Sequence, residues 1–581
     1  MSATSMRTHL CGELRIADVG ERVLLCGWVA ARREHGEHLA FVDLRDFSGV
    51  TQCVVDGSVD VRSEWVLQVE GTVRRRPEGR ENDKVATGQV ELGDCTVEIL
   101  AKAEPPPFST DDRIDIDEAV RLRHRYVDLR RPRMQANLRL RARVLAAMRR
   151  SMVRQGFVEV ETPLLWTPTP EGAREFAVPS RMHPGDFYVL PQSPQIAKQL
   201  LMVSGFDRYF QIARCMRDED LRADRQFEFS QLDIEMSFAG ADEVQVAIND
   251  AVLESTEAAT GERPDGVDVM TWREAMERFG SDKPDTRFGM ELVDLDSVLD
   301  KAGIRAFEAK TRRGIRVPDG ASFACNRVDG FVERAISLGA KGLAWFKVDA
   351  LEPEVAFTSP LDKFFDDETR TAFAEAMQAE VGDLLLVVAD EWRTACSVLG
   401  QLRADLGRTP PAAGSKRFLW VTEFPMFEGL DESGRPVAQH HPFTMPHPDD
   451  IPLMLTDPLA VRSAAYDLVL NGWELGSGSV RIHREDIQRL VFDALGITAE
   501  EAEARFGFLL GAFRYGAPPH AGFAVGVDRF VALLAGEESI REVIAFPKTQ
   551  SGADLMTGAP RPLSAQSLKE LHLQARPKGP A

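Results

Sequence analysis

The sequence predicts an α+β chain of several domains: a small N-terminal β-barrel, a larger mixed body, and an α/β domain inserted into that body. Three observations predict this. At 581 residues the chain exceeds what one hydrophobic core ordinarily supports. Between Met1 and Ala103, five short alternating runs are separated by Gly, Asp and Asn, the spacing of a small closed barrel. From Thr286 to Arg417, helical and strand patterns mix without any cluster of chemically matched side chains, whereas the flanking segments are dense in them.

Composition narrows the class. Hydrophobic residues make up 44% and charged residues 28%, ordinary for a soluble globular protein. No apolar run is long enough to cross a membrane, and MSATSMRTHLCGELRIADVGE lacks the apolar core of a secretion signal. A cytoplasmic protein is expected. Seven scattered cysteines, with no CxxC pair, argue against a zinc site or a disulfide frame. A net charge of −21 argues against a non-specific DNA coat, yet permits a local basic face.

The barrel runs are Val23–Val29, Leu39–Leu44, Val50–Val55, Trp65–Val73 and Val90–Leu100. The second and third carry Phe41, Asp43, Arg45 and Gln52, preceded by Arg32, Arg33 and His35. A ring to stack on and cations for phosphates are what a single-stranded nucleic-acid platform needs. The same pattern also fits an ordinary barrel with Phe41 in its core.

Pro105 to Phe108 form a stiff linker. Arg121 to Arg150 is densely cationic, with Asp128 its only acid. It reads as a phosphate-contacting hinge, or as the solvated face of a helix whose other side holds Val144, Leu145, Met148 and Met152. Gly156 suits the position just beyond that helix, and FVEVETPLL reads as a strand ended by Pro163.

Signals for a small ligand follow. TPTPEGAREF (Thr167 to Phe176) is a turn-rich loop with Glu171 at its tip, either a lid or a plain surface loop. Ser193 suits an N-cap and Pro194 the first helical position. Gln195 and Lys198, three apart, share a face, where Lys198 could pair with a carboxylate or be merely solvated. The stretch Gly205–Phe238 reads as a strand (Tyr209–Met216), a charged loop and a second strand (Phe227–Met236). In the second strand Phe227, Phe229, Gln231, Asp233 and Glu235 share one parity. Two acids and an amide beside Phe229, with Arg217 and Glu219 at the edge, suit the floor of a pocket for a ligand of mixed charge. A solvated surface hairpin is the other reading.

Asp242 to Thr260 predicts an amphipathic helix, and VGDLLLVVAD (Val381 to Asp390) a buried strand of the inserted domain. The last third returns to polar chemistry. HHPFTMPHP (His440 to Pro448) is rigid, with paired histidines. NGWELGSGSVRIH (Asn471 to His483) is a Gly-broken strand holding Glu474 and Arg481. Seven positions apart, these face opposite sides of a regular strand, so a bulge at Gly476 or Gly478 is expected to bring them together. Asp467 and Glu474 could hold Mg²⁺. Gly526 permits close backbone approach. Arg529 falls in the first turn of an apolar helix, either gripping phosphate or simply opening a core helix. The tail after Ala559 reads as loosely ordered.

On these strings the chain resembles bacterial-type aspartyl-tRNA synthetases, class IIb aminoacyl-tRNA synthetases, over essentially its whole length. FVEVETPLL, ARCMRDEDLRADRQFEFSQLD and AVGVDRF look like the three class II motifs. TPEGAREF, PQSPQIAKQLLM, HHPFTMP and NGWELGSGSVRIH look like hallmarks of the subfamily. The resemblance implies an OB-fold anticodon-binding domain at 1–104, a linker at 105–133 and a catalytic domain on an antiparallel sheet at 134–285 and 418–558. It also implies a bacterial-type insertion at 286–417 and a tail at 559–581.

It further implies site roles. Arg481 and Lys198 would take the side-chain carboxylate of L-aspartate; Asp233, Ser193, Gln195 and Glu171 its ammonium, with His440 completing the pocket. Arg217 and Arg529 would be catalytic, on the α- and γ-phosphates of ATP. Asp218, Glu219, Gln226, Phe229, Gly526, Val527 and Asp528 would complete the ATP site, and Asp467 and Glu474 would bind Mg²⁺. Arg33, His35, Phe41, Gln52 and Glu78 would read the anticodon. His35 stands where relaxed members carry His and strict members tend to carry Leu. A homodimer charging both tRNA-Asp and tRNA-Asn is therefore expected; a strictly discriminating enzyme and an asparaginyl-tRNA synthetase are the alternatives.

Overall fold

The computed structural model describes residues 4–35, 38–168, 172–300, 304–407 and 415–576. The chain packs as two compact units, Met1–Arg139 with Arg541–Pro562, and Leu140–Ile540 with Leu563–Ala581.

In the first unit, β1 (Arg22–Glu34), β2 (Leu39–Asp46), β3 (Gly49–Asp56), β4 (Val66–Arg75) and β5 (Val90–Ala101) close into a barrel in the order β1-β2-β3-β5-β4. Alternation does the sorting. Val23, Leu25, Val29, Ala40, Val42, Leu44, Cys53, Val55, Leu67 and Val69 fill the interior, and their neighbours face outward. Phe41 therefore sits on the outer face, half-buried, and not in the core.

The arginine-rich segment forms α1 (Glu118–Arg123), α2 (Arg125–Asp128) and α3 (Pro132–Arg154). Much of its charge is turned inward. Asp128 takes Arg121 and Arg125, and Arg125, 2% exposed, also donates to the carbonyls of Arg541, Ile544 and Ala545. Arg121 reaches Glu542 as well. Arg123, Arg133, Arg143, Arg149 and Arg150 stay exposed. On α3, Val144, Ala147, Met148 and Met152 form the buried stripe, and Gly156 follows with φ +81°.

The second unit is built on an eight-stranded sheet. Its strands are β6 (Val158–Glu159), β9 (Arg208–Met216), β10 (Glu228–Ser237), β11 (Val267–Thr271), β17 (Phe418–Thr422), β20 (Ala465–Leu470), β21 (Trp473–Val480) and β22 (His520–Gly526). The order is β11-β17-β20-β21-β22-β10-β9-β6, antiparallel from β17 to β9 with a parallel pair at each edge. The strand expected to run to Pro163 pairs only briefly. After the Val160 amide donates to the Phe210 carbonyl, the chain leaves the sheet.

Helices α4 (Gln195–Val203), α5 (Ala241–Thr260), α6 (Trp272–Phe279), α11 (Glu485–Ala494), α12 (Ala499–Phe513) and α13 (Val527–Ala535) surround it, and β7 (Ala177–Pro179) pairs with β8 (Phe187–Val189) and β18 (Phe427–Leu430) with β19 (Pro436–Ala438). Helix α4 begins one residue later than expected, because the Pro194 carbonyl already accepts from the Lys198 amide and Pro194 serves as N-cap. The tail is more ordered than expected. Helix α14 (Ala565–Glu570) is capped by Ser564, whose hydroxyl accepts from the Ser567 amide.

The insertion is a five-stranded sheet, β12 (Val293–Asp294), β13 (Thr311–Val317), β16 (Leu384–Asp390), β14 (Ala344–Ala350) and β15 (Ala356–Thr358), in that spatial order. Leu384, Leu386 and Val388 pack on α8 (Cys325–Ser337) and α10 (Trp392–Leu406); Leu385 and Val387 pack on α7 (Asp296–Leu299) and α9 (Asp367–Ala376). A central strand covered on both faces is why VGDLLLVVAD reads as a continuous apolar run. Among the described residues, no helix is long and apolar enough to cross a membrane.

Candidate active site

The second strand of the predicted hairpin is the floor of a cavity of about 450 Å³. On β10, Phe229, Gln231 and Asp233 face it, while Leu232 and Ile234, of opposite parity, are fully buried in the core. Glu235 lies on the polar parity and is fully buried. Gly522 on β22 makes room for it, since a Cβ there would meet Glu235 Oε2 at 1.8 Å.

Two cations close the inner end. Arg481 Nε donates to Glu235 Oε1 at 2.9 Å, Nη2 to Oε2 at 3.3 Å, and Nη1 to Ser479 Oγ at 2.7 Å. Lys198 Nζ lies 2.5 Å from Asp233 Oδ1 and 3.2 Å from Glu235 Oε2. All four charged residues are at most 5% exposed. Burial pushes both acids upward. At Glu235 the Arg481 guanidinium and the Lys198 ammonium outweigh it and hold the carboxyl below its usual range, whereas at Asp233 burial prevails. Glu235 is thus the hub of the pocket's charge network, a role not assigned to it from sequence. Its parity with Asp233 was the available signal.

His440 and His441 both line the cavity. Burial lowers His440 to about 4 and His441 to about 3, the latter helped by Arg481 and Lys198, so both are neutral at pH 7. His441 Nδ1 accepts from the Phe443 amide at 3.2 Å, which leaves its proton on Nε2; sequence reasoning chose only His440.

The outer end mixes arginines with acids. Arg217 stands over the Phe229 ring, 5.0 Å from its centroid. Arg529, in the first turn of α13, pairs with Asp224 at 3.1 Å and donates to the Glu474 carbonyl at 3.2 Å. Ser193, Gln195, Glu219, Gln226, Glu474 and Gly526 also line the space. Asp528 lines it too, its carboxylate held by Arg141 and by the Ser230 amide at 2.8 Å. Two expected ATP contacts differ. The Val527 side chain is fully buried in the core. Asp218 is absent from the lining, and its amide donates to the Arg174 carbonyl. Glu171 lies outside the described residues.

A bulge is present, but at Leu475, since Gly476 and Gly478, where it was expected, keep regular ladder partners. Leu468 pairs with Gly476 but Val469 with Glu474, so Leu475 is the extra residue and both Glu474 and Arg481 reach the cavity. Asp467, which faces Ser477 across the β20–β21 ladder and is absent from the lining, is only 9% exposed. Burial and the Glu474 charge push its carboxyl well above the usual range, and its Oδ1 has no hydrogen-bond partner among the described residues. An orphaned, charge-crowded carboxylate oxygen beside a second carboxylate fits a hard divalent cation. No group of three or more His, Cys, Asp or Glu able to hold a metal occurs among the described residues. The pair therefore suits Mg²⁺, which is usually held by one or two carboxylates together with water and phosphate oxygens.

On the outer face of the barrel, the His35 and Phe41 rings meet edge-on at 6.0 Å. Arg33 forks onto Asp43 at 2.6 and 2.9 Å and reaches Gln52 Oε1 at 3.2 Å. Gln52 in turn donates to Glu91 at 2.8 Å. Glu78 is exposed in the connection between β4 and β5.

Residues 23–102 match the OB-fold nucleic acid binding domain, and residues 117–550 match the tRNA synthetases class II (D, K and N). The chain belongs to this class II synthetase family. An asparaginyl-tRNA synthetase from Pyrococcus horikoshii, solved with asparaginyl-adenylate, shares the fold at a TM-score of 0.57 with 18% identity, covering 93% of this chain and 98% of that one. Among curated relatives, the Aspartate–tRNA(Asp/Asn) ligase of Moorella thermoacetica is 50% identical over 98% of this chain and 97% of its own. The Aspartate–tRNA ligase of Geobacillus kaustophilus is 49% identical, covering 98% of each chain.

Proposed function

We propose that the chain is an aspartate–tRNA ligase that activates L-aspartate with ATP and charges both tRNA-Asp and tRNA-Asn. The observation that carries this reading is the pair of buried cations, Arg481 and Lys198, at the closed end of a cavity whose open end holds Arg217 and Arg529. A buried fork of guanidinium donors matches the oxygens of a carboxylate, whereas an amide turns donor N–H groups towards it. A lysine substrate would need acids where these cations stand.

In this reading Arg481 and Lys198 hold the aspartate side chain, and Asp233, Ser193 and Gln195 face its ammonium group. The α-carboxylate attacks the α-phosphorus of ATP, a new O–P bond forms, and the bond to pyrophosphate breaks with its electron pair leaving on pyrophosphate. Arg217 stabilises charge at the α-phosphate, Arg529 orients the outer phosphates, and Phe229 stacks on adenine. A ribose hydroxyl at the tRNA 3′ end then attacks the acyl carbon, losing its proton, and AMP leaves. Positioning and charge stabilisation suffice; no protein nucleophile is required. Asp467 and Glu474 would hold Mg²⁺, which would neutralise phosphate charge.

Arg33, His35, Phe41 and Gln52 form the anticodon platform. The names of several relatives support use of both tRNAs, as does His35, whose ring can donate or accept and so need not reject either pyrimidine at the third anticodon position. Exposed Val158, Leu164 and Leu165, 50%, 46% and 52% accessible, support a homodimer. Sedimentation of a fully active species at the chain mass of 64.5 kDa would refute the dimer. The functional test is charging of purified tRNA-Asp and tRNA-Asn transcripts. Efficiencies within about two decades are expected, since one base contact is worth roughly 1–3 kcal/mol. Full charging of tRNA-Asp with none of tRNA-Asn would show a strict enzyme.

A further inference from the structure

The loop 280–285, which joins α6 to the insertion, has no part in the mechanism above. It is anchored at both ends. Gly280 has φ +65°, its amide donates to the Met276 carbonyl, and a Cβ there would meet the Cys396 carbonyl oxygen at 2.1 Å. The Asp285 carbonyl accepts from Arg403 at 2.9 Å, and the Asp285 carboxylate takes a fork from Arg287 at 2.9 and 2.6 Å. Between these anchors, Lys283 reaches Glu474. Lys283 Nζ lies 4.0 Å from Glu474 Oε2, with half of its side chain in solvent.

The carboxylate pair thus meets one ammonium, which stands at the outer limit of ion pairing with Glu474. Such a contact is exchangeable: a half-exposed pair at this distance is weak, and a lysine is a compact charge on a flexible stem. The nine-tenths-buried Asp467 Oδ1, without a partner among the described residues, remains available to a stronger cation. A divalent ion there repels a neighbouring ammonium, and ATP brings phosphate charge to the same end of the cavity.

We propose that Lys283 is a further residue of the ATP site: its ammonium is the counter-ion of Asp467 and Glu474 in the ATP-free protein, gives way to the divalent cation, and then turns to the polyphosphate. This rests on the ATP-site reading above. It makes metal and nucleotide arrive together, because Lys283 holds down metal affinity until phosphate offers it a new partner.

The test is Mn²⁺ binding followed by electron paramagnetic resonance, with and without ATP, on the full-length protein and its Lys283→Met, Lys283→Arg and Asp467→Asn variants. Without ATP, Lys283→Met is expected to bind Mn²⁺ about threefold more tightly than the unaltered chain, the size of a weak exposed charge pair. Its affinity for ATP in the presence of Mg²⁺ is expected to fall about tenfold, the loss of one charge-assisted contact. Lys283→Arg should stay near the unaltered protein in both readings. Equal Mn²⁺ affinity in the Met variant, or unchanged ATP affinity, overturns the proposal. Mn²⁺ uptake only in the presence of ATP, in both proteins alike, overturns the counter-ion role but leaves the carboxylate pair standing. An unaltered protein that takes up no Mn²⁺ even with ATP, or an Asp467→Asn variant that binds it normally, instead sinks the metal-site reading beneath the proposal.

Discussion

Strands β10 and β2 carry the same alternation and expose it to different media. Each sends one parity into an apolar core and presents polar side chains on the other. On β10 the polar parity is roofed over, so Asp233 and Glu235 are at most 1% exposed and locked to Lys198 and Arg481. On β2 it stays at the surface, where Phe41 and Asp43 meet His35 and Arg33 in partly solvated contacts. Burial, not pattern, sets how much each charge is worth. Breaking a buried pair leaves an uncompensated charge and costs about 3–5 kcal/mol, whereas exposed pairs contribute roughly 0–1 kcal/mol. The pocket is thereby fitted to discriminate between two groups of nearly equal shape, and the barrel to recognise bases by stacking and exposed donors.

The largest effect expected on this comparison comes from Arg481→Leu. Aspartate-dependent ATP–pyrophosphate exchange should fall about a thousandfold or more, the loss of one partner of a buried pair, while ATP still binds. Near-normal exchange would reject the assignment of the buried end to the substrate carboxylate.

The buried histidines sharpen the same contrast through pH. Their folded values, about 4 for His440 and about 3 for His441, lie below the ordinary 6.5. The unfolded chain therefore binds more protons between those limits. The stability they contribute is complete above about pH 6.5 and is lost on acidification towards pH 4, at about 1.4 kcal/mol per pH unit for each ring. Thermal unfolding followed across this range should show that slope, and a His440→Asn/His441→Asn variant should flatten it. An unchanged slope in the variant would mean that the two rings are solvated in the folded protein.

The smallest effect belongs to the barrel. Phe41→Ala should lower kcat/KM for tRNA charging by roughly ten- to a hundredfold, about 1–3 kcal/mol for one stacked base, and leave ATP–pyrophosphate exchange untouched. A change in exchange instead of charging would contradict the separation of roles.

Where the pattern is local, the sequence was legible. The five barrel runs, the parity of β10, the need for a bulge in β21 (though not its place) and the apolar run of β16 each follow from side-chain alternation within a few residues. The misses are long-range. Glu235 is the hub only because Arg481 arrives 246 positions later, and no spacing rule foretells that meeting. Arg125 turns inward because carbonyls about 420 positions away come to meet it, so a dense arginine run that reads as a phosphate face is partly structural. Val527 sits inside a motif string, yet its side chain enters the core. A motif places a residue near a site without fixing which way its side chain turns.

The central claim is that the buried Arg481–Lys198–Glu235–Asp233 network selects a carboxylate over an amide. ATP–pyrophosphate exchange with purified protein, comparing L-aspartate with L-asparagine at equal concentration, tests it most directly. The account predicts exchange with aspartate at least a hundredfold faster, because an amide turns donor N–H groups towards cations that can only donate. Comparable exchange with the two amino acids, or faster exchange with asparagine, would contradict it.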